Sequence, residues 1–285
     1  MKSDIKTYEY GDVRFSVSPE GELIKMTNVS EEAVDIFIPS ILSNYVSIKS
    51  LSSEFVVGRF KTIEISSFID NIRPRAFAQA AVEKIVWSSN CDVIQNSCFD
   101  KCSARIIENI EHVREVERYG FAKSNFEEVV WPSSCSTVPE KCFENAAIRN
   151  IRNLQNVTKI GFGAFMGSHI ESIVWPARCD VISEFCFAGS GVKDITGMEN
   201  VAEIKFGAFM QACDLEFLNL SESFCLNKIG ERAFCGLSKD MVARIYHSQY
   251  DRRGDRTSRF PSERRVCETW LSGGDHAVCG IRACL

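Results

Sequence analysis

Histidine and proline are scarce in this chain, at four and seven of 285 residues. The histidines, His112, His169, His247 and His276, stand far apart, and no His-Glu-x-x-His pair, Gly-rich phosphate loop, nucleophile elbow or Cys-x-x-Cys pair occurs. Metal-assisted hydrolysis, phosphoryl transfer, acyl transfer and zinc binding each need one of those arrangements, so no enzyme, no cofactor and no metal site is expected. Nor is there a run of about 18 apolar residues, which predicts no membrane insertion. An excess of cations is absent too: 33 Lys and Arg face 38 Asp and Glu, a formal charge of -5. Neutralising nucleic-acid phosphates calls for a basic face, so nucleic acid is not the expected partner. Met1 to Gly11 carries Asp4, Lys6 and Glu9 and lacks the apolar run of about 7–15 residues of a secretory signal. A soluble protein made in a reducing compartment is the expectation.

What the chain does have is an ordinary globular composition, 45% hydrophobic and 25% charged, which excludes disorder and collagen-like structure. It also has a period. Phe55, Phe77, Phe99, Phe121, Phe143, Phe165, Phe187 and Phe209 follow one another at intervals of 22, and Phe234 comes 25 later. Five places after each Phe an apolar residue recurs, as at Phe60, Val82, Phe126, Ile148, Ile170 and Val192. Eight places after it stand Ile63, Ile85, Ile107, Val129, Ile151, Ile173, Ile195 and Phe217; seventeen places after it stand Ile72, Ile94, Val116, Val138, Ile160, Ile182 and Ile204. Ile229 fills that last slot after a three-residue insertion.

A 22-residue unit is too short to bury a core of its own, so its coils must stack and turn each column into a continuous ladder. Segments such as Glu83 to Trp87 and Glu127 to Trp131 have the β-branched and aromatic content of short strands. They are expected to pair in parallel at about 4.8 Å per coil. The return stretch, such as Ser97 to Asp100, is read as one helical turn or a 3₁₀ segment. A second period is superposed: Trp87, Trp131 and Trp175 lie 44 apart, as do Cys91, Cys135, Cys179 and Cys98, Cys142, Cys186. Alternate coils carry Asn109, Asn153 and Gly197 at the Trp slot, and Val or Ala or Gly at the Cys slots, as tandem duplication of a two-coil unit would leave.

The coil from Ile170 to Phe187, apolar-x-x-Ile-x-Trp-Pro-x-x-Cys followed by Val-Ile and Cys-Phe, resembles the BspA-like leucine-rich repeat family. Ile160-Gly161-Phe162-Gly163-Ala164-Phe165 is similar to that family's Ile-Gly-x-x-Ala-Phe signature, and Ile229 to Phe234 repeats it. The likeness runs from Ile36 to Leu237. It implies a right-handed β-solenoid of leucine-rich-repeat type that acts as a protein-interaction module, in many members as a cell-surface adhesin for host protein or glycan. Localisation stays open between the cytoplasm, which the missing signal and the odd number of cysteines, thirteen, favour, and the cell surface implied by the resemblance.

Three regions are expected. Residues 1–54 form an N-terminal β cap, with a β-hairpin turning at Pro19-Glu20-Gly21 between alternating segments, and an irregular first coil. Residues 55–237 form the solenoid, about eight coils. Residues 238–285 form a non-repeating tail, partly disordered, with nine Lys and Arg against six Asp and Glu. In the tail, Lys239 to Tyr250 is read as a short capping helix, Arg253-Gly254-Asp255 matches an integrin-binding tripeptide, and Cys267, His276, Cys279 and Cys284 fit no common metal spacing. An enzyme site in the tail is the third functional reading, behind the interaction module and the adhesin. Asn28, Asn156 and Asn219 begin glycosylation sequons.

The paired cysteine columns alternate with Val, Ala and Gly, so they are read as small buried groups. Equivalent cysteines two coils apart stand about 9.6 Å from one another, beyond the roughly 7 Å Cα limit of a disulfide. The three Trp allow two readings, packing over the smaller residues of neighbouring coils or an exposed stacking row for a ligand. With the five- and eight-position ladders inward, residues seven and nine after each Phe face outward on the sheet. The candidate face for a protein or peptide partner is therefore Lys84, Val86, Glu108, Glu128, Val130, Arg152, Ser172 and Val174, with Trp87, Trp131 and Trp175.

Overall fold

The computed structural model describes residues 5–42, 46–218, 220, 223 and 225–238. The tail features, His247 and the Asn219 sequon lie outside them. The fold is a β-solenoid of short parallel strands, and the described residues contain no helix. Two compact units divide the chain: residues 1–135 with 146–153, and 136–145 with 154–285.

The first unit opens with β1 (Lys6–Tyr10), β2 (Val13–Val17) and β3 (Glu22–Asn28), paired antiparallel in order. Alternation in β2 buries Val13, Phe15 and Val17 on one face. The β2–β3 turn needs Gly21 at φ +89, where an added Cβ would lie 2.7 Å from the Ser47 carbonyl oxygen. Asn28, the first sequon residue, is buried, and its Nδ2 donates to the carbonyls of Glu32 at 2.8 Å and Arg59 at 2.6 Å. It serves as a structural amide rather than a surface attachment point. β4 (Val34–Ile38) pairs in parallel with Arg59–Ile65, which pairs with Ala81–Val86, which pairs with Ile106–Glu108. Glu128–Val130 pairs with Asn150–Arg152, again 22 residues on. Within the second unit, Ser172–Val174, Asp194–Thr196 and Phe217–Leu218 pair in parallel.

A second column of two-residue strands carries the seventeen-position residues: Val93–Ile94 with Glu115–Val116 in the first unit, and Thr137–Val138 with Lys159–Ile160 in the second. Inside, phenylalanine rings stack coil on coil. Phe77, Phe99 and Phe121 lie 5.7 and 5.3 Å apart, and Phe143, Phe165, Phe187, Phe209 and Phe234 follow at 5.2 to 5.6 Å. These offset stacks contribute attraction beyond simple area burial.

The return stretch differs from the expected helical turn. Residues two before and two after each Phe from Phe77 onward have positive φ, as at Arg75 (62°), Gln79 (60°), Ser97 (53°) and Lys101 (58°) in the first unit, and Gly163 (55°) and Gly167 (65°) in the second. A right-handed helix cannot contain such residues. The alternation turns every second N–H outward along the stack: Ser97, Phe99 and Lys101 donate to the carbonyls of Arg118, Gly120 and Ala122. The intervening N–H groups of Cys98, Asp100 and Cys102 close turns on carbonyls three residues back. Within each unit the coils thus spend their backbone polarity both internally and on the next coil, which is what a buried backbone requires.

One ladder position also shifts. Phe217 was expected inward, yet Leu218 pairs with Ile195 and is buried, while Phe217 pairs with Asp194 and is 48% exposed. One residue of the insertion precedes this strand, and in a strand a slip of one residue exchanges the two faces.

Candidate functional site

The outward sheet face forms because strand residues alternate around the buried eight-position column. In the first unit Lys84 and Val86 are half-buried, flanking buried Ile85. Lys84 Nζ lies 2.7 Å from the Glu108 carboxylate on the adjacent strand, and Arg152 pairs with Glu128 in the same manner. Cross-strand pairs of opposite charge suit neighbouring coils but, exposed to solvent, contribute at most about 1 kcal/mol. Between these pairs Ile106 and Val130 are exposed. In the second unit Ser172 is exposed, Val174 is 68% exposed and Phe217 shares the face. Both Ile106 and Phe217 belong to the apolar part of the face. Ile106 was legible from its position seven after Phe99; Phe217 was hidden by the insertion.

The tryptophans do not belong to this face. Trp87, Trp131 and Trp175 are 1%, 0% and 2% exposed. Each indole Nε1 donates to the carbonyl four residues on, that of Cys91, Cys135 or Cys179, at 2.8 to 3.0 Å. The side chain therefore closes the corner that follows its own strand, and Trp87 also meets Phe77 and Phe99 at 6.2 and 5.6 Å. The intervening coil responds with a left-handed asparagine: Asn109 Nδ2 donates to the Trp87 carbonyl at 2.7 Å, and Asn153 to that of Trp131 at 2.6 Å. Gly197, at φ +77, takes the slot beside Trp175, where a Cβ would meet the Trp175 carbonyl oxygen at 2.7 Å. The doublet of coils is this Trp–Asn pairing. The stacking-row reading of the three Trp is corrected accordingly: an indole whose N–H and both faces are used internally offers nothing to a ligand.

Seven of the ten described cysteines, including both periodic columns, are buried. Burial deprives a thiolate of hydration. It raises Cys98 and Cys186 far above the ordinary thiol range, Cys102 to about 12 and Cys135 to about 11. Such thiols are poor nucleophiles. Cys213 and Cys225 are exposed. His112 Nε2 lies 3.2 Å from the Cys91 carbonyl, on the corner that Trp87 closes. Among the described residues no group of three or more His, Cys, Asp or Glu is arranged to hold a metal ion.

A search of curated proteins returned no match. Among solved structures the chain is similar to the pneumococcal vaccine antigen PcpA, at 14% identity and a TM-score of 0.46 over 81% of this chain and 79% of that one. It is similar to a leucine-rich repeat protein of T. pallidum at 15% identity and 0.38, over 86% and 97%. A leucine-rich cell surface protein of Faecalibacterium prausnitzii matches at 15% identity and 0.35 over 84% of this chain, which spans 55% of that protein's length. The family model for the BspA type leucine rich repeat region matches six copies over residues 39–117 and 114–239. With its 22-residue coils, phenylalanine stack and parallel strands, the chain belongs to the BspA-type leucine-rich repeat family, a fold that generally mediates protein interactions.

Proposed function

We propose that the outward sheet face binds a protein or peptide partner without chemistry. The observation that carries this reading is the composition of that face: in the first unit exposed Ile106 and Val130 stand among charged residues already paired with one another, and in the second unit Val174 and Phe217 are exposed as well. Aliphatic and aromatic side chains in water add nothing to the folded state, while a partner that covers them gains about 25 cal/mol per Å² of apolar surface. The paired charges around them need not be desolvated alone, and they give a polar rim that sets register.

A photo-crosslinking residue at position 106 tests this in native cells, with Val130→Asp and Arg152→Glu of the same unit as comparison variants. The expected outcome is a discrete crosslinked partner whose yield falls at least tenfold in the Val130→Asp protein. Identical crosslinks from the wild type and both variants would show the face to be wrong.

A further inference from the structure

A strand at the end of a sheet leaves alternate N–H and C=O groups unpaired unless something covers them. β1 is such a strand. It ends the sheet that runs β1, β2, β3, Ser50–Leu51, Asn71–Ile72, and β2 is its one strand partner among the described residues. Directly opposed residues of an antiparallel pair share a face. Tyr8, opposite Phe15, and Tyr10, opposite Val13, therefore extend the face that β2 buries. The core does not reach under them, for Tyr10 is 71% exposed.

Facing them, Phe37 of β4 is 49% exposed and Ile41, in the short strand Ile41–Leu42, is 58% exposed. Together with Tyr8, Glu9, Pro39 and Leu42, over buried Phe15, these residues line a cleft of 260 Å³. β4 also ends its own sheet, pairing among the described residues with Arg59–Ile65 alone. Glu9 borders the cleft although its side chain leaves β1 on the opposite face, so the cleft runs along the β1 backbone. Apolar residues exposed singly need no explanation, but several around one cleft beside an open strand edge mark an interaction site.

The cleft is smaller than the roughly 300–1,000 Å³ of sites that enclose small molecules. Its polar groups do not converge as a cofactor site demands: the one carboxylate, Glu9, is held by Arg14 at 3.1 Å on the neighbouring strand. What the site offers instead is a row of unpaired backbone groups with an aromatic trough beside it, which is what strand addition uses. We infer that β1 accepts an extended segment of a partner protein as an additional strand, apolar at every second position. Those apolar side chains enter the trough between Tyr8 and Tyr10 on one side and Phe37 and Ile41 on the other. The intervening side chains lie on the solvent face of Thr7 and Glu9, where the Glu9 carboxylate is already paired with Arg14 and polar residues of either kind are accepted. A proline in the segment removes a donor that the pairing needs. This site shares no residue with the sheet face proposed above, so either can fail alone.

The test is fluorescence anisotropy of the full chain with labelled heptapeptides that carry Val, Ile or Phe at alternate positions and Thr or Lys between. Saturable binding by at least one is expected, with slowed hydrogen exchange at alternate β1 amides. Placing proline at the centre of that peptide should weaken binding at least tenfold, and so should Ile41→Asp, while Val130→Asp should leave it unchanged. Ile41 is exposed, so its replacement leaves the fold intact, and a melting curve equal to wild type verifies this. Absence of binding by all three peptides would overturn the proposal. Equal or tighter binding of the proline peptide would also do so, because it indicates polyproline docking instead. So would a micromolar dimer abolished by Ile41→Asp, which would make a second copy of the chain the occupant.

Discussion

The turn ridge of the first unit and that of the second share one backbone and differ in almost every side chain. Three and two residues before the phenylalanines, the first unit carries Pro74-Arg75, Asn96-Ser97 and Arg118-Tyr119, while the second carries Phe162-Gly163, Glu184-Phe185 and Phe206-Gly207. The left-handed φ of the second member is 62°, 53° and 60° in one and 55°, 54° and 61° in the other. The coils of the first unit are tied across this ridge by charge: Arg75 reaches Glu54 at 2.6 Å and Asp100 at 3.6 Å, and Glu117 accepts from the Asn96 N–H at 2.7 Å. Those of the second add rings to a charge pair: Lys205 reaches Glu184 at 3.4 Å, and Phe185 stands edge-to-face on Phe162 at 5.5 Å and on Phe206 at 5.3 Å. Gly207 is required there, since a Cβ would meet the Phe185 ring at 2.9 Å. The coil is therefore specified from within, and its ridge is free to be ionic or aromatic.

If that is right, a core change should cost the same in either unit. Phe99 and Phe187 are both buried, and both stack on the next coil, at 5.3 and 5.4 Å. Replacing either with Ala should destabilise by about 3–5 kcal/mol, read as a shift of the urea midpoint. A loss below about 1 kcal/mol at one of the two, and the full loss at the other, would break the equivalence of the units.

The inner columns were legible in the sequence because every coil buries the same slots, so Phe, Ile and Cys repeat at 22 or 44. The Trp–Cys spacing announced a structural unit without revealing its bond: an indole is large and amphipathic, and only the corner geometry shows its N–H turned back to the carbonyl four residues on. The alternating handedness of the return stretch was hidden where Arg75, Ser97 and Tyr119 occupy left-handed positions. Composition betrays it only in the second unit, where Gly163, Gly167 and Gly207 stand in those slots. Half of the proposed sheet face follows from simple alternation, but Phe217 does not, since one inserted residue reverses inward and outward. The β1 cleft had no signal at all. It is assembled from four strands, and it exists because the core ends under β2 while the sheet continues to β1.

The next comparison concerns the buried thiols, of which the first unit holds Cys91, Cys98, Cys102 and Cys135 and the second Cys142, Cys179 and Cys186. Unfolded thiols ionise from about pH 8.5, whereas burial keeps Cys102 protonated to about 12 and Cys135 to about 11. Above the unfolded value the unfolded chain alone releases protons, so stability falls as pH rises through the window from about 8.5 toward 11. Each fully buried thiol contributes roughly 1.4 kcal/mol per pH unit within it. Urea midpoints under reducing conditions should decline steadily between pH 8.5 and 10.5, and Cys102→Ala should flatten that slope. At neutral pH, iodoacetamide should label Cys213 and Cys225 of the described cysteines and leave the seven buried ones unmodified until the chain is unfolded. A flat stability profile, or rapid native labelling of Cys98, would mean that these columns open to water.

The smallest effects lie on the ridges, and salt separates them. Arg75→Ala removes two partly exposed ion pairs and should cost no more than about 1 kcal/mol. That cost should shrink when NaCl is raised from about 0.05 to about 0.5 M, because the screening length falls to a few ångströms. Phe185→Gly loses two edge-to-face contacts, about 0.5–1.5 kcal/mol each. It also relieves a side chain from a left-handed conformation that costs about 1–2 kcal/mol. The net change should therefore be under about 2 kcal/mol and indifferent to salt. Stability of the wild type and both variants at the two salt concentrations gives the answer directly. If the Phe185 variant responded to salt as the Arg75 variant does, the aromatic ridge would not be an independent way of joining coils, and its exposed rings would have to be explained by something other than the stability of the solenoid.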